Sequence, residues 1–349
     1  MKSIKRSITF LLFILLNFTF LNVQVFAQKV GENKFYKGMC DASAAVALDE
    51  NTFIVANDED NDLRIFDKNK PNELQRIKLS EIFKGKIFDG DNLEIDLEGA
   101  TWLGDKIFWI GSHSTSKNGK PRPSRQRLFA VKTSPDGKGK FNTVSVGKIY
   151  TDLISDLEKA ARFKDFKLKE AKSIRPKDIG GLSIEALAAT PEGHLLIGFR
   201  NPLFGGKISS EKILINGKSL VVELLNPLKV IEGKTAKFAA PIVLDLDGLG
   251  IRGMEYDKLQ KQYIIVAGAY FDRQEINPQN TKLSESRLYL WSGKTAEKPK
   301  YQQTVDLTDF NAETVFFYPQ SKKGFMEILS DDVKAICRDG FRSLQIQLK

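Results

Sequence analysis

Seven acidic side chains recur at one kind of place along this 349-residue sequence. Asp41, Glu98, Glu185, Glu255 and Glu313 stand at the opening of short apolar stretches, and Asp58 and Asp331 close the stretches that follow. If a fold gathers them, they form a metal-ligand set, because carboxylates at close range raise one another's pKa unless something compensates. A hard divalent cation, most naturally Ca²⁺, would take several of their oxygens. Ion pairing with Arg200 and Arg252 is the other compensator. Within the set, Glu98 and Glu185 are candidate catalytic groups, with His113 as a candidate base or ligand. Each acid could equally bond loop N–H groups and hold a turn.

A basic loop, Ser114 to Gln126, carries Lys117, Lys120, Arg122 and Arg125 between Pro121 and Pro123. Arg122, Arg125, Arg200, Asn201 and Arg252 together would suit a small anionic ligand such as a phosphate ester or carboxylate. The plain alternative is that these cations keep a long loop soluble.

Composition narrows the chemistry. Net charge is +9, hydrophobic residues are 42% and charged residues 28%, which describes an ordinary globular protein. Two cysteines are too few for a disulfide-dense miniprotein or an iron–sulfur site, and two histidines exclude a three-His zinc site. Lys and Arg are scattered, so no nucleic-acid surface is expected. Gly248-Leu-Gly-Ile-Arg-Gly253 fits a dinucleotide fingerprint, but the nine residues from Met254 to Gln262 are too short for the helix it requires, so no nucleotide cofactor is expected. No G-x-S-x-G or H-E-x-x-H is present. Ser112 and His113 are adjacent on a strand and point to opposite faces, which argues against a nucleophile–base pair. His194 lies in a Pro-Glu-Gly-His turn and is expected at the surface, while Trp102, Trp109 and Trp291 read as core.

The elements that must position these groups repeat five times. Each unit opens with a short strand carrying an acidic residue near its start, turns, and continues with an apolar strand ending in polar groups: Asp41–Leu48 with Thr52–Asp58, Leu97–Leu103 with Lys106–His113, Ile184–Thr190 with His194–Arg200, Ile251–Tyr256 with Tyr263–Ala269, and Asn311–Phe317 with Gly324–Asp331. Third strands usually follow. Fourth strands read at Glu73–Leu79, Asn142–Val146, Pro241–Asp245 and Gln303–Leu307. Radially repeated four-stranded units describe an all-β fold, a β-propeller. Direct counting predicts five blades, with six as the alternative because Lys207 to Leu246 holds surplus strand-like sequence. The last unit lacks a fourth strand, and Lys34–Met39 would supply it and close the ring. Cys40 and Cys337 then fall at the same end of that blade, and we expect a Cys40–Cys337 disulfide.

Residues 1–27 read as a signal peptide: Lys2, Lys5 and Arg6, an apolar run from Ile8 to Leu21, then Val25-Phe-Ala27. Removing those three cations and no anion takes +9 to +6. Residues 28–349 then form a single domain with insertions at 114–126 and 150–177. In the second insertion Leu153, Leu157, Ala160 and Ala161 are spaced for one apolar face. The chain is expected to be secreted or periplasmic, monomeric, and without a stable membrane span after processing.

Several phrases resemble a bacterial family known as domain of unknown function 3616. They are Asp41-Ala-Ser-Ala-Ala-Val-Ala-Leu48, Asp58-Glu-Asp-Asn61, Asp96-Leu-Glu-Gly-Ala-Thr101, Trp109-Ile-Gly-Ser-His113, Lys120-Pro-Arg-Pro-Ser124, Ile184-Glu-Ala-Leu-Ala-Ala-Thr-Pro191 and Ile197-Gly-Phe-Arg-Asn-Pro202. The resemblance covers most of the mature chain and implies no particular activity. The acidic strand openings are also similar, more faintly, to exported phytase-like propellers. From the residues, three functions follow as expectations. One is binding of a small anionic ligand at an acidic, Ca²⁺-bearing channel mouth flanked by the basic loop. Another is metal-assisted hydrolysis of an ester or phosphoester. The last is a scaffold for an exported protein partner.

Overall fold

The computed structural model describes residues 30–57, 60–83, 94–209, 213–271, 285–319, 325–331 and 339–347. The signal segment, Asp58 and Cys337 lie outside the described residues, so neither the metal-ligand role of Asp58 nor the Cys40–Cys337 pairing is visible there.

Strand β1 (Val30–Lys37) belongs to the last sheet, and the others follow in order. Blade 1 is β2 (Ala44–Ala47), β3 (Thr52–Ala56), β4 (Asp62–Asp67) and β5 (Glu73–Lys78). Blade 2 is β6 (Leu97–Leu103), β7 (Lys106–Gly111), β8 (Leu128–Pro135) and β9 (Phe141–Tyr150). Blade 3 starts with β10 (Ser183–Ala189) and β11 (Leu195–Phe204). It throws out a side hairpin, β12 (Lys207–Ile208) with β13 (Leu214–Ile215), and resumes with β14 (Lys218–Leu224) and β15 (Ile242–Leu244). Blade 4 is β16 (Gly250–Asp257), β17 (Gln262–Gly268), β18 (Ser286–Trp291) and β19 (Lys300–Tyr301). Blade 5 is β20 (Ala312–Phe317), β21 (Phe325–Ser330), β22 (Gly340–Gln347) and β1.

The innermost strands touch in a closed cycle, β2 to β6, β10, β16, β20 and back to β2. That is a five-bladed propeller. The six-blade alternative fails because the surplus sequence is spent on the β12–β13 hairpin, which pairs only with itself. The fourth strand of blade 4 also moves, from the expected Gln303–Leu307 to Lys300–Tyr301, while Val305 and Leu307 are buried in the wall between blades 4 and 5.

Small side chains explain how five sheets meet at one axis. The innermost strands carry Ala44, Ala45 and Ala47, Gly99 and Ala100, Ala186 and Ala188, and Gly253. A Cβ on Gly253 would lie 2.5 Å from the Glu313 carbonyl of the next blade, and one on Gly99 would lie 2.9 Å from the Leu187 nitrogen. Five hydrophobic clusters fill the five blade-to-blade walls. Trp109 and Trp291 are buried in two of them as expected, and half-buried Trp102 donates its indole N–H to the Ala47 carbonyl at 2.7 Å.

The helical insertion runs along the ring and ends at the mouth, where Asn201 bonds the Pro176 carbonyl. Its helix Leu153–Lys159, the 3₁₀ turn Ala161–Phe166 and the helix Leu168–Ala171 pack down the wedge between blades 2 and 3. Leu153, Ile154, Leu157, Phe163 and Leu168 are buried there, whereas Ala161 of the expected apolar face is exposed.

Strand β1 closes the ring by pairing antiparallel with β22 over Val30–Lys37. Tyr36 anchors it. Its buried ring stacks on Phe341 at 5.2 Å, and its hydroxyl reaches Glu327 of β21 at 3.2 Å. Glu327 also accepts Tyr318 at 2.6 Å and the Ser343 hydroxyl, so this buried carboxylate meets three hydroxyl donors. Among the described residues no helix is long and apolar enough to cross a membrane.

Candidate functional site at the channel mouth

The openings of the innermost strands meet the ends of the second strands at one end of the ring. Four blades share a device there. In β6 the register jumps between Leu97 and Gly99, in β10 between Ile184 and Ala186, in β16 between Ile251 and Gly253, and in β20 between Ala312 and Thr314. The residue left over in each case is Glu98, Glu185, Arg252 or Glu313. A bulge leaves one residue unpaired and re-aims its side chain. Four charged side chains are thus set at equivalent places around the axis. Arg200 is a bulge residue as well, on β11, between Phe199 and Asn201.

The bulged charges of blades 3 to 5 pair with one another, although Glu185 Oε2 makes no hydrogen bond. Glu185 accepts Arg200 Nη1 at 2.8 Å and the Ser183 hydroxyl at 3.0 Å, and its other oxygen lies 3.5 Å from Arg252 Nε. Arg252 also grips Glu313 in a two-point ion pair and stands 4.0 Å from Asp331. Arg200 Nε donates to the Ala269 carbonyl at 2.9 Å. Glu185, Arg252 and Glu313 are all buried. Burial alone would raise the Glu185 pKa, but Arg200 and Arg252 outweigh it and hold the carboxyl below its usual range. Burial, with Arg200 adding to it, lowers the pKa of Arg252.

Blade 2 is arranged otherwise. Asp96 and His113 are both buried and both held at φ 57°, in the left-handed region. Non-glycine residues rarely adopt it. Asp96 Oδ2 collects the Ser112 hydroxyl, the Ser114 hydroxyl at 3.4 Å and Arg125 Nη1 at 2.7 Å, while Oδ1 receives none of these donors. Arg125 also reaches Ser114 Oγ at 2.7 Å and Glu94 at 2.9 Å. Burial pushes Asp96 up to about 6 against the pull of Arg125 and Ser112. His113 donates Nδ1–H to the Gly111 carbonyl at 2.9 Å, which leaves Nε2 as a buried, unbonded acceptor. Burial lowers its pKa to about 4, so the ring is neutral at pH 7.

The structure therefore brings Glu98, Glu185, Glu313, Asp331, Arg125, Arg200 and Arg252 into one electrostatic neighbourhood, and the backbone of Asp41 bridges Asp331. Glu255 does not join them. The bulged charge of blade 4 is Arg252, and Glu255 lies further along β16, opposite Ile264, where burial raises it to about 8. Asn201 is spent on fold, donating to the Pro176 and Asp178 carbonyls at 2.8 and 2.7 Å. Arg122 is half-buried at the start of the turn Pro123–Arg125, and Lys117 and Lys120 are exposed. His194, expected at the surface, is half-buried and 2.6 Å from Glu223. Among the described residues no three His, Cys, Asp or Glu side chains converge as a metal shell, and guanidinium groups do the compensating.

Glu94, Asp96, Ser112 and Ser114 are site residues that the strand-opening rule passes over. A signal for the bulges exists nonetheless: a charged residue followed by a small one, as in Glu98-Gly99, Glu185-Ala186, Arg252-Gly253 and Glu313-Thr314.

A profile of the family described as protein of unknown function (DUF3616) matches residues 41–149 and 129–276. No curated protein matches the chain. Among solved structures, the major allergen Mala s 1 of Malassezia sympodialis is 11% identical with a TM-score of 0.53, over 91% of this chain and 96% of that one. Glutaminyl cyclase of Myxococcus xanthus is 10% identical with a TM-score of 0.43, over 92% and 96%. The PQQ-bound aldose sugar dehydrogenase of Streptomyces coelicolor is 12% identical with a TM-score of 0.41, over 91% and 98%. At these identities the allergen speaks to the fold alone, and the two enzymes carry no functional argument.

Proposed function

The chain belongs to the DUF3616 family, whose description assigns no activity, and from the mouth itself we propose an exported binding propeller that takes a small ligand through a positively charged group. One observation carries this: the ring of bulges concentrates carboxylates. Among the described residues, Glu94, Asp96, Glu98, Glu185, Glu313 and Asp331 share the mouth with the guanidiniums of Arg125, Arg200 and Arg252. A surplus of buried or half-buried negative charge favours a countercharge at the axis. An ammonium group or a divalent cation such as Ca²⁺ would supply it, with Asp96 Oδ1 and Glu98 as first contacts.

A second reading keeps the small anion and places it at the rim, on exposed Lys117 and Lys120. Hydrolysis of an ester or phosphoester draws support from Asp96, whose pKa of about 6 suits a general base near neutral pH. The Cys40–Cys337 clasp belongs to the same proposal. Cys40 is not a free thiol, and its neighbour Asp41 pairs with Asp331.

Thermal unfolding with Ca²⁺, spermidine, glucosamine and inorganic phosphate tests the reading. A cation at a hundred times its Kd should add about 2.7 kcal/mol. That gain should vanish in Asp96→Asn combined with Glu98→Gln. Stabilisation by phosphate alone, untouched by those substitutions, would move the site to the rim.

A further inference from the structure

A second site lies away from the mouth, on the outer flank of blade 3. There a cleft of about 330 Å³ opens between the helical insertion and the loop that returns to β15. Its position follows from the register. Phe238 pairs with Leu224, at the end of β14 remote from Ser219 and the mouth.

Both walls are built. On one side Leu157 and Phe163 root the insertion in the core, so Lys159 and Arg162 project from a fixed backbone. On the other side Asn226 clamps the loop: its amide donates to the Thr235 carbonyl at 2.9 Å and accepts the Lys237 N–H at 2.7 Å. Arg162 ties the walls together through the Phe238 carbonyl at 3.3 Å, and the Phe163 and Phe238 rings meet edge to face at 6.0 Å. The floor is apolar, from Ala160, Ala236 and Phe238.

The charge is lopsided. Lys159, Arg162 and Lys237 line the cleft against a single carboxylate, Asp156. That carboxylate is already occupied, since one oxygen accepts the Tyr150 hydroxyl at 2.8 Å and the other the Lys159 ammonium at 3.2 Å. Lys159 remains 74% exposed and able to swing to a bound group. The volume sits at the small end of the roughly 300–1,000 Å³ of ligand pockets.

We infer that this cleft binds a small organic acid, a carboxylate or phosphate monoester bearing an apolar group, with Arg162 and Lys237 taking the anion and Phe238 the apolar part. Guanidinium and ammonium groups over an aromatic floor match both ends of such a molecule. This anion site is separate from the mouth and does not depend on the reading given there.

Phenyl phosphate is the probe, titrated into the full chain and followed by calorimetry and by amide shifts of Ala160, Ala236 and Phe238. Saturable binding is expected, at least tenfold tighter than inorganic phosphate. Arg162→Gln with Lys237→Gln should weaken it at least tenfold, because both side chains are at the surface and their loss spares the core. Lys294→Gln, on blade 4, should leave it unchanged, as should Glu98→Gln at the mouth. No saturation, equal affinity for inorganic phosphate, or equal losses in Lys294→Gln would each overturn the assignment. Loss in Glu98→Gln instead would return the anion to the mouth.

Discussion

On the side of blades 3 to 5, the buried bulge charges of the mouth meet their opposites: Glu185 lies between Arg200 and Arg252, and Arg252 between Glu185 and Glu313. The bulged residues themselves, Glu185, Arg252 and Glu313, keep ordinary negative φ, and left-handed backbone falls in the approach loops at Asp247 and Asp309. On the side of blade 2, Asp96 and His113 sit in left-handed backbone, one carboxylate oxygen takes every donor while the other takes none, and an imidazole nitrogen is buried without a partner. The first arc is held by ion pairs whose charges keep neighbouring blades in register, with Glu185 Oε2 buried 3.5 Å from Arg252 Nε and without a hydrogen bond. The second keeps unspent hydrogen-bonding capacity and a pKa near neutrality, as sites of binding or proton transfer do. The same bulge thus serves shape in one place and reactivity in another, and the partners within reach decide which.

The contrast can be broken most forcefully at Arg252. Arg252→Met leaves Glu185 and Glu313 buried without their shared cation, and should cost about 3–5 kcal/mol of stability by denaturant unfolding. Adding Glu313→Gln should restore part of it. A loss below ~1 kcal/mol would mean that the arc is not structural.

The next effect is a pH slope at His113. Its folded-state pKa of about 4 lies below the ordinary 6.5. The neutral ring therefore contributes stability that is present above pH 6.5 and lost as pH falls toward 4, by about 3 kcal/mol. His113→Asn, whose side chain tolerates left-handed backbone, should flatten melting temperature against pH in that window. Identical slopes in both proteins would remove His113 from the titrating half.

Arg125→Lys is the mildest test. It keeps the charge but loses the fork that joins Asp96, Ser114 and Glu94, and should cost about 1 kcal/mol. Asp96 should then titrate at higher pH, seen in the carboxyl ¹³C shift. An unmoved Asp96 would assign its elevated pKa to burial alone.

Much of this was legible in the residues. The five repeats are legible because an acidic strand opening, a turn and an apolar strand recur together, as in Asp41–Leu48 with Thr52–Ala56, and the structure shows why the first of these strands is built from small residues such as Ala44–Ala47. Closure by the strand before Cys40 followed from an unfilled place in the last blade. Edge strands were harder, since two residues at Lys300–Tyr301 carry no pattern and a buried Val305 nearby mimics one. Residue type points to Glu255, whereas the register belongs to Arg252, because a bulge shifts position without changing composition. Asp96 escaped notice for a related reason: its role comes from backbone held at φ 57°, which no spacing rule reports.

The hydroxyl of Tyr36 and the carboxylate of Glu327 stand 291 positions apart, yet together they help to seal the circle. A chain threading out of a ribosome must therefore carry its early sheets with one flank unguarded until β21 and β22 arrive. Assembly should be slow and late-committing, as distant pairing demands. Whatever shields that waiting flank during synthesis will govern yield more strongly than any single contact in the finished ring.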